Sequence, residues 1–199
     1  MAERQASVAR TTSETQVDAS VAIDGNGDFR GATGVGFLDH MLAQLARHGL
    51  FDIEVNAVGD LHIDAHHTAE DVAIVLGRAF SDALGDRQGI QRMGDATVPM
   101  DEALAHVAVD LAGRDYAAFD GEFKQDRIGD LETSLLPHIV GSLARHMGAA
   151  IHVRVLAGDD DHHKAEAIFK ALARALDQAT ALDPRRAGAV PSTKGTLTD

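Results

Sequence analysis

The chain has no cysteine and no tryptophan, aromatic residues make up only 4% of it, and lysine occurs only at positions 124, 164, 170 and 194. Each scarcity excludes something. Without cysteine there are no disulfides and no thiolate metal ligands, a composition suited to a reducing interior. With so few aromatic rings, the core has to be built mostly from Leu, Ile, Val and Ala. No apolar run approaches the roughly 18 residues that a membrane helix requires, and the N-terminus lacks the charged and apolar regions of a secretory signal. A soluble cytoplasmic protein with no membrane partner is expected. Positive charge is also short: the net charge of −13 argues against nucleic acid, whose phosphates need a basic surface.

What the chain does have is histidine, arranged twice in the same order. His40, Leu45-Ala46-Arg47-His48, an alternating segment and His66-His67-Thr68-Ala69-Glu70 are followed by His138, Leu143-Ala144-Arg145-His146, an alternating segment and His162-His163-Lys164-Ala165-Glu166. A register shared over such lengths indicates a duplicated fold. Each copy carries its own His, His-His and Glu.

Apolar spacing supports two similar halves. Ser7–Thr12 and Gln16–Ile23 read as strands, and Asp24-Gly25-Asn26-Gly27-Asp28 reads as a hairpin turn. That segment resembles the start of a calcium loop, but Phe29 and Val35 stand where the motif needs glycine and glutamate, so calcium is rejected. The glycines Gly31, Gly34 and Gly36 read as a tight entry to a helix with Leu38, Met41, Leu42 and Leu45 on one face. Phe51, Ile53, Val55 and Ala57 then alternate with polar residues as a half-buried strand, and a second helix runs from about His66. Leu104–Leu111 and Tyr116–Phe119 read as strands, followed by a helix through Ile139, Val140 and Leu143. An alternating strand from Ile151 to Val155 and a helix striped by Ile168, Leu172 and Leu176 complete the second half. The expected organisation is an α+β fold with half-repeats at residues 1–88 and 89–183. A segment without periodicity, 184–199, follows and is expected to be extended.

On a helix, residues three and four apart share a face, which gathers His66 and His67 with Glu70 and Asp71, and His162 and His163 with Glu166. Imidazole plus carboxylate without thiolate suits a borderline-to-hard divalent ion such as manganese or iron. The alternative for a single His-His-x-x-Glu is an exposed helix start whose acids favour the N-terminal dipole; the repetition, with an upstream histidine each time, favours metal. Neither half alone supplies an octahedral set, so two halves or two subunits must combine. His62, His106 and His152 have no repeat partner and read as surface or packing residues. His48 and His146 do repeat, but helix packing accounts for them. Pro191-Ser192-Thr193-Lys194-Gly195 offers two hydroxyls, an ammonium and backbone N–H groups for a phosphate, unless it is only a polar tail.

Gly34–Leu42, Gly59-Asp60-Leu61 through Asp71, Asp159–Glu166 and Pro191–Gly195 together resemble the imidazoleglycerol-phosphate dehydratases of histidine biosynthesis, over nearly the whole chain. Two departures are the acidic run Asp159-Asp160-Asp161 and Met93 where an aromatic commonly follows the arginine. The resemblance implies two αβ halves, each a four-stranded sheet backed by helices, like a domain of a small-subunit ribosomal protein. It further implies a homo-oligomer of twenty-four subunits with active sites between them, and a monofunctional lyase without a fused phosphatase. By that resemblance His40, His66, His67, Glu70, His138, His162, His163 and Glu166 are ligands of two manganese ions in each active site. Glu14, Arg92, Arg114, Ser192, Thr193 and Lys194 are implied substrate contacts, the last five directed at the phosphate, and His40, His66, Glu70 and His162 also lie against the substrate.

The implied reaction dehydrates imidazoleglycerol phosphate to imidazoleacetol phosphate through a manganese-stabilised imidazolate and a diazafulvene, with Glu14 as the base. Two other readings compete. A binuclear hydrolase of a phosphorylated metabolite would use the same ligand types, with its metals about 3.5–4 Å apart. A non-catalytic assembly protein would use them only to staple subunits, which leaves the arginines and the Ser-Thr-Lys cluster unexplained.

Overall fold

A computed structural model describes residues 4–186 and 188–197. The two halves share one topology. In the first, β1 (Gln5–Thr11), β2 (Thr15–Ala22), β3 (Phe29–Ala32), α1 (Gly36–Gly49), β4 (Asp52–Gly59) and α2 (His66–Leu84) follow in order. Their strands lie β1-β2-β4-β3, with only β3 and β4 parallel. The second half comprises β5 (Met93–Met100), β6 (Ala103–Asp110), β7 (Tyr116–Asp120), α3 (Leu135–Met147), β10 (Ala150–Ala157) and α4 (Asp161–Thr180). Its strand order β5-β6-β10-β7 repeats the first sheet position by position, again with one parallel pair at the end. A short hairpin, β8 (Arg127–Ile128) and β9 (Leu131–Glu132), is inserted ahead of α3.

The alternation in β2 and β6 buries one face of each sheet and exposes the other. α2 covers β1 and β2, and α4 covers β5 and β6. The halves then join helix to helix, α2 on α3 and α1 on α4. The core is aliphatic as the composition requires, with one edge-to-face pair, Phe51 on Phe80 at 5.1 Å, among its few rings.

Three local readings of the sequence are corrected. The Asp24–Asp28 segment is a crossover, because β4 lies between β2 and β3. Its backbone folds onto the start of β4, where the Asp52 carboxylate accepts from the N–H groups of Asn26 (2.7 Å) and Asp28 (3.1 Å). A Cβ at Gly25 would run into Asp52, so the glycine serves close approach rather than a hairpin turn. The stretch before α1 contains a strand, β3, too short to show a period. The C-terminal segment is tied down rather than merely extended. A 3₁₀ turn spans Pro184–Arg186, Gly89 N–H donates to the Ala189 carbonyl at 3.0 Å, and Leu197 is buried.

α1 and α3 both end on a residue in the left-handed region, Leu50 (φ 57°) in the first half and Gly148 (φ 64°) in the second. The repeat therefore preserves the backbone turn while only the second copy carries the residue that adopts it without strain.

Candidate metal and phosphate-binding sites

The starts of α1, α2 and α4 are held by acids. Gly36 and Phe37 at the head of α1 donate to Asp130 from the β8–β9 hairpin, at 2.6 and 2.9 Å. His66 N–H donates to Asp64 at 2.8 Å. Asp160 caps α4 by accepting from the N–H groups of His162 (2.8 Å) and His163 (3.2 Å). The unusual acidic run is thus divided by role. Asp159 pairs with Lys124; Asp160 is the cap; Asp161 is fully buried and pairs with buried Lys164 while accepting from the N–H groups of Lys124 and Gln125. None of the three is needed as a ligand.

With the backbone so fixed, six of the eight candidate ligands meet in two triads, His40–His162–Glu166 and His66–Glu70–His138, each with its donor atoms within 4.8 Å of one another. Each triad crosses the halves. One histidine comes from the first helix of one half, and the His-x-x-x-Glu pair comes from the second helix of the other. The duplicated ligands are therefore exchanged between repeats, which neither copy read alone discloses.

The triads are chemically unequal. In the first, His40 Nε2 and His162 Nε2 both approach Glu166 Oε1 at 3.0 Å, while Lys170 Nζ holds Oε2 at 2.6 Å. Burial would raise the pKa of Glu166, but the hydrogen bonds from Lys170, His40 and His162 prevail and bring it down to about 2. In the second, His138 Nε2 stands 3.4 Å from Glu70 and His66 Nε2 3.9 Å, with the two rings 4.8 Å apart. His138 Nε2 is buried yet makes no hydrogen bond with any described residue. An unpartnered imidazole nitrogen aimed at a carboxylate and a second imidazole fits a divalent cation, and three donors in each triad leave room for more ligands.

His67 and His163 turn away from the triads. His67 Nδ1 lies 2.9 Å from Asp60 and 3.8 Å from Glu14; Asp71 is instead engaged with Arg10 and Thr15. His163 Nδ1 lies 2.8 Å from Glu102, with Asp101 3.7 Å from Nε2. The carboxylates at Asp60 and Glu102 raise the pKa of these two imidazoles. A carboxylate on Nδ1 orients the ring and leaves Nε2 to face outward, the arrangement of metal-binding histidines with a supporting acid. Glu102 is fully committed, accepting also from the N–H groups of Asp159 and Asp160, and its pKa falls to about 2 through those backbone bonds and His163. Glu14, on the equivalent turn of the first half, has only the long approach to His67 among the described residues.

The other histidines take no part in a triad. His106 bonds Thr97 at 2.9 Å and His152 stacks on Tyr116 on the outer sheet face. Burial, then the cations Lys170 and Arg174, lowers the pKa of His48; burial, then Arg78 and Arg145, does the same for His146.

The anion-directed residues gather at the other end of the helices. Arg92 forms a two-point pair with Asp110 (2.7 and 2.9 Å) and donates to the Pro191 carbonyl at 3.0 Å, which fixes the start of Pro191–Gly195. Arg92 N–H bonds the carbonyl of Ala179 near the end of α4. Arg114, Thr193 and Lys194 are exposed. Glu166 lies thirteen residues before Ala179 on α4 and His138 ten before Gly148 at the end of α3, so roughly 15–20 Å of helix separates the two groups along one chain.

Lys170, Asp60 and Glu102 were not singled out from sequence. Lys170 lies four residues after Glu166, a helical spacing that identifies it as a partner; Asp60 and Glu102 lie on separate loops and carry no such signal.

A family profile described as imidazoleglycerol-phosphate dehydratase matches residues 33–176. The chain is 57% identical over 194 residues to the imidazoleglycerol-phosphate dehydratase of Roseiflexus sp., covering 98% of each. Two crystal structures share the fold with a TM-score of 0.81. The dehydratase from Staphylococcus aureus is 32% identical, matching 90% of this chain and 99% of its own. The dehydratase from Pyrococcus furiosus, in complex with (S)-C348, is 36% identical and matches 95% of this chain and 99% of its own.

Proposed function

Because the chain belongs to the imidazoleglycerol-phosphate dehydratase family, we propose that it converts imidazoleglycerol phosphate to imidazoleacetol phosphate, as a cytoplasmic lyase of histidine biosynthesis. The observation that carries this reading is the separation of two chemistries on one chain. Imidazole-and-carboxylate triads stand at the helix starts, and an arginine and hydroxyl cluster stands roughly 15–20 Å away at the helix ends. A three-carbon chain joining an imidazole to a phosphate cannot span that distance. In this reading separate copies bring the two groups together in a closed assembly of twenty-four subunits.

In such an assembly His67 and His163, turned outward with Asp60 and Glu102 behind them, would complete the ligand sets of neighbouring triads. Glu14 arrives beside His67 and so reaches the same place without being a ligand. Residues 1–88 and 89–183 would each contribute one copy of the ligand pattern, and 184–199 the phosphate-binding segment. Manganese held in the two triads would supply Lewis acidity that lowers the pKa of an imidazole N–H and lets the ring expel the adjacent hydroxyl. Arg92, Arg114, Ser192, Thr193 and Lys194 hold the phosphate dianion by charge-assisted hydrogen bonds. Glu14 removes the proton from the neighbouring carbon; the carbon–oxygen bond breaks, water leaves, and the resulting enol ketonises.

The two triads share no residue; a binuclear hydrolase would instead need its two metals about 3.5–4 Å apart. Protein stripped with a chelator should lose dehydration of imidazoleglycerol phosphate and regain it on addition of manganese. Assembled, manganese-loaded protein that yields no acetol phosphate would overturn the assignment.

A further inference from the structure

One buried cation remains outside both groups. Arg87, in the connection from α2 to β5, is only 2% exposed and sits in the left-handed region at φ 60°. No carboxylate of the described residues hydrogen-bonds its guanidinium; Asp110 acts on it only through space. Nη1 donates to the carbonyls of Leu111 (3.0 Å) and Gly148 (2.9 Å), Nη2 donates to that of Met147 (2.6 Å) and to the Ser81 hydroxyl (3.4 Å), and Nε makes no hydrogen bond with any described residue. Burying a charge without a directly bonded counter-ion is costly, and apolar packing would stabilise the junction at lower cost.

The carbonyls it selects share one consequence. Gly148 O also accepts from the N–H of Gly113, and Leu111 N–H donates to Arg92 O at 2.9 Å. Tyr116 N–H is fastened to Ala149 O at 3.1 Å. The loop presenting Arg114 is therefore tied at Leu111, Gly113 and Tyr116; the Gly113 tie runs through a carbonyl that Arg87 holds, and Arg87 also holds the carbonyl of Leu111 itself. The same loop start fixes Arg92 through its carbonyl. Arg92 in turn fixes Pro191 and the segment after it. We propose that Arg87 is a positioning residue for the phosphate end of the site: its guanidinium sets the Arg114 loop relative to Arg92 and Pro191–Gly195, while itself remaining out of reach of the substrate. This rests on the functional reading above, in which those groups bind a phosphate.

The prediction separates phosphate affinity from the chemistry at the far end of the helices. Arg87→Lys retains the charge but not the fork that joins the three carbonyls. In assembled protein with its full metal content, it should raise KM for the phosphorylated substrate and the inhibition constant for inorganic phosphate about tenfold. The value of kcat should stay within about threefold of wild type, since misplacement of a binding group is felt mainly in the step it serves. Arg87→Gly, which accepts the left-handed backbone, provides the second variant. Millimolar guanidinium should fill the vacated space and restore phosphate inhibition. Unchanged KM and phosphate inhibition in assembled Arg87→Lys would overturn the proposal. So would guanidinium that restores thermal stability to Arg87→Gly without restoring phosphate inhibition. A wild-type protein indifferent to inorganic phosphate would overturn the functional reading and this inference together.

Discussion

Glu166→Gln is expected to lower dehydration of imidazoleglycerol phosphate roughly a thousandfold and to reduce bound manganese by about half. The substitution keeps the side chain's shape, so packing at this largely buried position is preserved and only the charge is lost. That charge is the convergence point of its triad, where His40 Nε2 and His162 Nε2 both stand 3.0 Å from one oxygen. A neutral amide cannot replace it as an anionic ligand. Losing an ion that supplies about 4 kcal/mol of transition-state stabilisation costs three decades at 1.36 kcal/mol each. Lys170 would also lose its 2.6 Å partner, so a modest fall in thermal stability should accompany the effect. Elemental analysis and steady-state turnover on the same preparation check this. Near-wild-type activity with a full metal complement would remove Glu166 from the ligand set.

Glu14→Gln should lower turnover about 10²–10⁴-fold, the usual worth of a positioned proton transfer, while leaving metal content and assembly unchanged. Glu14 is half exposed on the β1–β2 turn and belongs to neither triad, so the fold does not depend on it. Its counterpart Glu102 is occupied by His163 and two backbone N–H groups, which hold it ionised and make it a poor proton acceptor. Of the two glutamates at equivalent positions on these turns, only Glu14 is uncommitted. A loss below about tenfold would assign it to substrate hydrogen bonding rather than proton removal.

Much of this arrangement is legible in the sequence because duplication writes it twice. The register of His40 with His138 and of His66 with His162 identifies two halves, and the amphipathic stripes place all four helices. The limits are equally specific. Two ligands four apart on one helix are visible as spacing, but which distant histidine joins them depends on how the halves pack. Pairing His40 with His162 and His138 with His66 is set by α1 on α4 and α2 on α3. β5 was unrecognised because Gly94, Asp95 and Pro99 obscure its alternation; the proline is tolerated on an edge strand. Asn26-Gly27 mimics a hairpin because turn residues report local conformation, not which strand lies next in the sheet. His67 and His163 look like ligands of their own helices, yet loop carboxylates at Asp60 and Glu102 turn them outward.

The central claim is that the metal ligands and the phosphate-binding arginines of one active site come from different chains, and mixing two inactive variants tests it most directly. His162→Ala removes a triad ligand and Arg114→Ala removes a phosphate contact, and each homo-oligomer should be nearly inactive. Unfolded together and reassembled, the two should form mixed oligomers in which some sites draw intact triads from Arg114→Ala chains and an intact Arg114 from His162→Ala chains. Dehydration of imidazoleglycerol phosphate should then reappear in proportion to mixing, and only after coassembly. Mixed oligomers that stay as inactive as either parent, while wild type treated the same way recovers fully, would contradict the account and place both groups on one chain.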